Sequence, residues 1–197
     1  MSKTFVLASD SFKESMTAKQ ACQAMQRGIQ SVFKDALFIQ VPMADGGEVT
    51  VDALIASTQG QRVACKVTGP LRDQQVETYF GLIDDGQTAV IEMAKANGLH
   101  LLPAAQRNPM LTSSFGTGEM IKAALDLGVQ KIIIGLGGSV TNDGGAGMAQ
   151  ALGAQFLAVN QRPIAVNGGQ LHLIHHIDLS ALDARLQQVE IVIASDV

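Results

Sequence analysis

The first sixty residues alternate between short apolar runs and segments with helical spacing. The apolar run at 4–8 predicts a short buried strand, and the run at 37–41 predicts the next strand. Between them, apolar side chains recur every three or four residues over 18–33, behind Thr17, whose hydroxyl has the spacing of a helix cap. A second helix is predicted over 51–57. Two successive strand–loop–helix units are typical of a parallel sheet.

The middle of the chain has a different pattern. Residues 62–68, 75–83 and 88–93 alternate like antiparallel strands, and Asp-Gly at 85–86 predicts the turn between the last two. This change of pattern predicts a domain boundary near 58–64.

The last third returns to strand–loop–helix order. The pattern predicts a helix over 117–127, an isoleucine-rich strand over 131–136, and a glycine-rich loop over 137–145 that leads into a helix ending near Gly153. It then predicts a hairpin around 160–161, a helix over 179–186 and a strand over 189–194. Together these elements predict an α/β protein.

Composition excludes several classes of protein. Apolar residues make up 47% of the chain and charged residues 16%, which excludes a disordered polymer. The net charge is −4, the 14 Lys and Arg are scattered, and there is no Trp, so a nucleic-acid partner is not expected. No apolar run is long enough to cross a membrane. Two lone cysteines, Cys22 and Cys65, indicate a reducing cytoplasm.

Acidic residues follow four of the predicted strands: Asp10, Asp45, Asp143 and Asp196. Ligands of open α/β sheets bind outside the carboxyl ends of the strands, where carboxylates could hold Mg²⁺. The alternative is that aspartate is simply a good turn and cap residue. Lys13, in the first of these loops, could pair with a phosphate or carboxylate, or it could be an ordinary solvated lysine.

The loop over 137–145 is the strongest local indication of anion binding, because backbone amides at a helix start favour anions. Gly-Thr-Gly at 116–118 opens another helix in the same way. The alternative for both is a tight structural turn. The residues predicted to bind phosphate or nucleotide are Gly116, Thr117, Gly118, Gly137, Gly138, Ser139, Thr141, Asn142, Gly144 and Gly145.

Familiar fingerprints of other enzyme classes are incomplete. A G-x-G-x-x-G pattern starting at Gly135 has Val140 in place of its last glycine, which disfavours a dinucleotide oxidoreductase. The chain has no Gly-Lys dipeptide and therefore no Walker A loop. The sequence around Ser139 has Thr141 where a G-x-S-x-G nucleophile elbow has its final glycine, which disfavours a serine hydrolase. Three histidines within 172–176 lack a further ligand in the spacing of a zinc site, so surface or core histidines are preferred there.

Five stretches spread along the chain carry more specific motifs: 8–15 (ASDSFKES), 42–48 (PMADGGE), 112–119 (TSSFGTGE), 134–147 (IGLGGSVTNDGGAG) and 194–197 (ASDV). In this order they resemble the type 1 glycerate kinase family. The resemblance implies transfer of the γ-phosphate of ATP, with Mg²⁺, to a hydroxyl of D-glycerate, expected to be the 2-hydroxyl.

The resemblance also implies a domain organisation. Members of the family are about twice as long, with a Rossmann-like domain built from both ends of the chain and a second α/β domain inserted between them. Residues 1–62 would then form the first part of the Rossmann-like domain, and 63–197 part of the inserted domain. We therefore expect this chain to correspond to the N-terminal half of a family member.

The motifs assign candidate roles. Lys13 and the loop over 137–145 are expected to hold anionic groups, and Asp45, Asp143 or Asp196 to hold Mg²⁺ or accept the proton of the attacking hydroxyl. Which acid has which role is left open. The residues expected to bind substrate are Ser11, Phe12, Lys13, Gly46, Gly47 and Glu48.

Two positions depart from the family pattern. Ser9 replaces a usual proline, and Val49 replaces a usual glycine. If that glycine has a positive φ, a β-branched residue there is strained by roughly 1–3 kcal/mol. The alternative to an active kinase is a truncated, non-catalytic remnant of one, which would keep the motifs but lack half of the cleft. The sequence does not indicate an oligomeric state.

Overall fold

The computed structural model of the chain describes residues 3–10, 12, 15–43 and 50–195. It divides into two compact units, residues 1–45 and 46–197. The division precedes the helix over 50–58, whereas the resemblance places residues up to 62 in the first domain. That helix belongs to the second unit because the fully buried Val51 packs against Ile83 and Val90. The domain limits of the longer family stay a prediction.

The first unit contains the predicted strand–helix–strand segment, but its first strand is not buried as predicted, since Val6 is 62% exposed and only Leu7 is buried. Strands β1 (Thr4–Leu7) and β2 (Leu37–Gln40) pair in parallel, and helix α1 (Ala18–Gln30) connects them. The predicted cap is confirmed: the Thr17 hydroxyl accepts the Gln20 N–H at 3.2 Å, and Gln20 Oε1 accepts the Thr17 N–H at 2.8 Å. Two of the four orphan amides at the start of α1 are thereby satisfied.

Cys22 lies in the packed face of α1, as its helical spacing predicts. It is fully buried, and its thiol donates to the carbonyl oxygen of Leu7 at 3.2 Å. Both Cys22 and Cys65 are free thiols.

The second unit is built on a mixed sheet. Its strands are β3 (Gln61–Thr68), β4 (Gln75–Ile83), β5 (Thr88–Glu92), β6 (Lys131–Gly135), β7 (Gln155–Leu157), β8 (His176–Asp178) and β9 (Glu190–Ala194). Its α-helices are α2 (Thr50–Thr58), α3 (Ala94–Asn97), α4 (Phe115–Asp126) and α5 (Ala146–Ala151).

The main sheet has the order β3-β4-β5-β6-β9. Strands β3, β4 and β5 pair antiparallel, with a turn over Asp84–Gly86 at the predicted place, and β5, β6 and β9 pair in parallel. Strands β7 and β8 form a separate antiparallel pair. The predicted α/β class, with parallel and antiparallel strands, is confirmed.

Helices cover both faces of the main sheet. On one face, Ile91 and Ile132 pack with Met120 of α4. On the other face, Val90 packs against Val51 of α2. Parallel strands need this double cover because side chains alternate between the two faces and both sets are apolar.

One predicted helix is wrong. Residues 179–186 contain only a short 3₁₀ turn, Ala184–Gln187. Local side chains compete with helical hydrogen bonds there, since Asp178 accepts the Ser180 N–H at 2.8 Å and Asp183 accepts the Arg185 N–H at 3.1 Å. Among the helices of the described ranges, none is long and apolar enough to span a lipid bilayer.

Candidate functional site

A cavity of 370 Å³ lies at the carboxyl ends of the parallel strands. Met93 follows β5, Leu136 follows β6, and Ile193 is the penultimate residue of β9. Ile134 and Met148 complete an apolar wall. In open α/β sheets this edge is where ligands bind, because the loops that follow the strands converge there.

Four residues predicted to bind phosphate or nucleotide line this cavity: Thr117, Ser139, Thr141 and Gly145. Ser114, at the start of α4, lies beside them. Within the described part of the chain, no lining residue is charged. The structure thus brings part of the predicted set together around a largely apolar space with a polar rim.

The loop over 136–145 is fixed by backbone hydrogen bonds to the segment after β5. The Leu99 N–H donates to Gly138 O, and the Val140 N–H donates to Asn97 O, both at 2.9 Å. From the other side, the Thr112 hydroxyl donates to Val140 O at 2.9 Å. Gly138 has φ +72°, which a residue with a Cβ rarely adopts. The loop is therefore held in one conformation at the rim of the cavity.

Asn97 supports the cavity through Thr117, and sequence reasoning missed it. It is fully buried, and its Nδ2 donates to Ser113 O at 3.0 Å. Its Oδ1 accepts the Thr117 N–H at 3.1 Å and the Thr117 hydroxyl at 2.6 Å. These bonds join the end of α3 to the first turn of α4. An asparagine within the short segment that follows a buried strand was the signal that could have found it.

Asp143 is the shared acceptor for the starts of two helices. It is 2% exposed, and its Oδ2 accepts the Ser114 N–H at 2.8 Å, the Ser114 hydroxyl at 3.0 Å, the Ser113 hydroxyl at 3.3 Å and the Gly147 N–H at 3.2 Å. Its Oδ1 accepts the Gly145 N–H at 3.1 Å. The carboxylate therefore bonds to both α4 and α5.

This geometry bears on the predicted role of Asp143 as a magnesium ligand or proton acceptor. A carboxylate offers about four lone-pair sites, and five donors already surround this one. Four of these donors bond Oδ2 and one bonds Oδ1, so the hydrogen bonds support a positioning role for Asp143, and its predicted role in binding metal or accepting a proton stays a prediction. Asp143 also supplies the negative charge that the start of α4 favours.

Gly116 and Gly118 lie within α4 rather than in a loop before it, and both are buried. A Cβ at Gly116 would overlap Thr68 O, and a Cβ at Gly118 would overlap Met148 O. Close packing of α4 against β3 and α5 therefore accounts for both glycines. Their predicted contact with phosphate stays a prediction, as it does for Gly137, Gly138, Asn142 and Gly144.

Most of the predicted substrate and catalytic set lies outside the described residues. These positions are Ser11, Lys13, Asp45, Gly46, Gly47, Glu48 and Asp196. Val49, where the chain departs from the family pattern, also lies outside the described residues. Phe12 is described in the first unit, where it is exposed and pairs through its backbone with Met16. Across the described ranges, no group of three or more His, Cys, Asp or Glu side chains is gathered for a metal, and the three histidines of 172–176 are exposed.

The chain is similar to known proteins along almost its whole length. Residues 5–197 match the glycerate kinase family. A glycerate kinase of Haemophilus influenzae is 56% identical over 193 residues, and a glycerate 2-kinase of Escherichia coli is 51% identical over 192 residues. The crystal structure of a glycerate kinase 2 from Salmonella typhimurium, 47% identical, superposes with a TM-score of 0.79.

These matches differ in how much of each protein they cover. They include 98% of this chain for the two curated relatives and 100% for the solved structure. They include only 51%, 50% and 53% of the matched proteins, so the chain spans about half the length of its relatives. The family match nevertheless extends over nearly every residue, and the chain belongs to the glycerate kinase family.

Proposed function

We propose that this chain serves in the ATP-dependent phosphorylation of D-glycerate, with transfer of the γ-phosphate to the 2-hydroxyl. The observation that carries the proposal is the family match over residues 5–197, together with relatives above 50% identity that are named glycerate kinase and glycerate 2-kinase. The proposed partners are small molecules only, and the proposed location is the cytoplasm.

The cavity supports ATP as the nucleotide. Its apolar wall of Met93, Leu136 and Ile193 suits a flat purine base, whereas an anion there would lose hydration without gaining an opposite charge. We therefore assign the base to the apolar wall. The phosphates are assigned to the polar rim, where the hydroxyls of Ser139 and Thr141 lie 2.8 Å apart.

Phosphoryl transfer needs mainly positioning and neutralisation of charge. In this proposal Lys13 binds an anionic group, and Ser11, Phe12, Gly46, Gly47 and Glu48 bind glycerate. Asp45 and Asp196 remain as the acids that would hold Mg²⁺ or accept the hydroxyl proton. When bound, Mg²⁺ would neutralise charge on the phosphates.

Asp143 has a separate place in the proposal. Because five protein donors already bond this carboxylate, four of them at Oδ2, we assign neither the metal nor the proton to it. It positions the rim instead, by fixing Ser114 and Gly145, which both line the cavity.

The test is ³¹P NMR of the purified chain with Mg-ATP and D-glycerate, with glycerate omitted as the control. A resonance of 2-phosphoglycerate that grows only with glycerate present supports the proposal. A 3-phosphoglycerate resonance would correct the acceptor hydroxyl. A folded chain that yields neither product would overturn the proposed activity for these 197 residues.

A further inference from the structure

Glu92 is a buried acid without a role in the site described above. It is the last residue of β5, pairs in register with Gly135 of β6, and is 2% exposed. Burying a carboxylate costs free energy unless hydrogen bonds and opposite charge compensate for it. The groups that face Glu92 therefore indicate what it does.

Each oxygen of Glu92 has a partner. Oε1 accepts the backbone N–H of Val51 at 2.7 Å, and Oε2 lies 3.3 Å from Lys95 Nζ. Val51 is the second residue of α2, so its N–H is one of the first four amides, which have no acceptor within the helix. A negative charge at a helix start is also favourable. Glu92 thus caps α2 from a strand 41 positions along the chain.

A second connection reaches the same turn of α2. Lys95 Nζ donates to Tyr79 OH at 3.0 Å and lies 4.2 Å from the centre of its ring. The Tyr79 hydroxyl lies 2.9 and 3.0 Å from the carboxylate oxygens of Asp52, and Arg62 pairs with Asp52 at 2.8 Å. The first turn of α2 is therefore fixed through Val51 and through Asp52, and both connections meet at Lys95.

We infer that Glu92 is a positioning residue that fixes the start of α2 at the carboxyl edge of the main sheet, and so fixes the point where the segment 44–49 joins that helix. This segment carries the Asp-Gly-Gly-Glu motif at 45–48, which the resemblance assigns to substrate. The functional part of the inference rests on the proposed function. The expected consequence is that Glu92 affects binding of glycerate more than binding of ATP.

The structural part is tested without catalysis, by NMR of the Val51 amide in Glu92→Ala, Glu92→Gln and Glu190→Gln. Glu190→Gln is the matched control, because Glu190 also pairs with a lysine on this sheet, at 3.3 Å, but is exposed. We expect Glu92→Ala to speed hydrogen exchange of Val51 about tenfold, as loss of one hydrogen bond implies. Glu92→Gln, which keeps an oxygen acceptor, should speed it less, and the control not at all.

An unchanged hydrogen-exchange rate of the Val51 amide in Glu92→Ala would overturn the inference. If Glu92→Ala does not fold, the chemical shift of the Val51 amide proton in Glu92→Gln decides instead. That shift must change when the acceptor becomes neutral, and an unchanged shift overturns the inference.

The functional part is tested by steady-state kinetics of Glu92→Gln. We expect a several-fold rise in KM for D-glycerate with little change in KM for ATP, and neither change in Glu190→Gln. Equal changes in both constants would contradict the assignment to glycerate. If the unmodified chain phosphorylates nothing, the proposed function fails, while the Val51 amide still decides whether Glu92 holds α2.

Discussion

The Ser114 backbone N–H donates to Asp143 Oδ2 at 2.8 Å, across 29 positions of the chain. The Ser114 hydroxyl donates to the same oxygen and accepts the Met148 N–H at 2.9 Å. One buried carboxylate thereby joins the start of α4, the glycine-rich loop and α5. Three residues that line the cavity, Ser114, Gly145 and Met148, are held by this arrangement.

Replacing Asp143 with alanine should destabilise the protein strongly. Several buried donors would lose their acceptor, and we expect a loss of about 3 kcal/mol or more in the free energy of unfolding. Asp143→Asn keeps one oxygen acceptor and should lose less. Urea denaturation of the two variants measures the difference. If Asp143→Ala is as stable as the unmodified chain yet inactive, a metal or proton-accepting role would be favoured over positioning.

Gly116→Ala should destabilise the second unit. The added Cβ would overlap Thr68 O, so α4 must shift, which costs about 1–3 kcal/mol. Gly28→Ala is the control: Gly28 also lies in a helix, α1, and a Cβ there has no heavy atom within 4 Å. It should stabilise its helix by about 0.5–1 kcal/mol. Thermal unfolding compares them. Unchanged stability of Gly116→Ala with weaker ATP binding would instead support the predicted phosphate contact.

Glu92 should make stability depend on pH in a defined direction. Burial raises the pKa of its carboxyl group above the ordinary 4.5, helped by the charge of Asp52 and opposed by the Val51 N–H and Lys95. Because this pKa is raised in the folded state, the contribution of Glu92 to the free energy of unfolding is complete below pH 4.5. It is lost as pH rises through the raised pKa. For Lys95, burial alone would lower the pKa, but the Tyr79 hydrogen bond and the charge of Glu92 raise it above 10.5, outside this window.

The measurement is urea unfolding of the unmodified chain and of Glu92→Gln between pH 4.5 and neutral pH. The free energy of unfolding of the unmodified chain, relative to the variant, should fall as pH rises. The fall amounts to about 1.4 kcal/mol for each tenfold difference in proton affinity between the folded and unfolded states. A constant or rising difference would contradict this account of Glu92.

Local patterns predicted most of the elements that position the site. The capping spacing at Thr17, the turn at Asp85-Gly86 and the strand–loop–helix around 137–145 depend on neighbours in sequence, and the structure contains all three. The helix expected over 179–186 failed because Asp178 and Asp183 bond to nearby amides, a local competition that apolar spacing does not register.

Long-range partners could not be predicted in the same way. The partners of Asp143 at 113–114 and the amide that Glu92 caps are distant in sequence. The position of Asp143 after a strand was therefore predicted, while its bonding was not. Glu92 is itself the last residue of β5, so its position at the end of a strand was a signal that could have identified it.

We propose that the cavity at the carboxyl edge of the sheet binds the ATP used to phosphorylate glycerate. Ile193 lines this cavity and is 52% exposed, whereas Ile191, two residues earlier in the same strand, is 43% exposed and serves as the matched position. A glutamate at 193 would set a charge against the base and the phosphates, while a glutamate at 191 would not.

The most direct measurement is the rate of 2-phosphoglycerate formation by ³¹P NMR, at subsaturating ATP, for the unmodified chain, Ile193→Glu and Ile191→Glu. We expect Ile193→Glu to slow the reaction about tenfold through a higher KM for ATP, because the added carboxylate would repel the phosphates and lose hydration when the base binds. Ile191→Glu should keep the rate of the unmodified chain. Equal rates in all three proteins would contradict the claim that this cavity holds ATP.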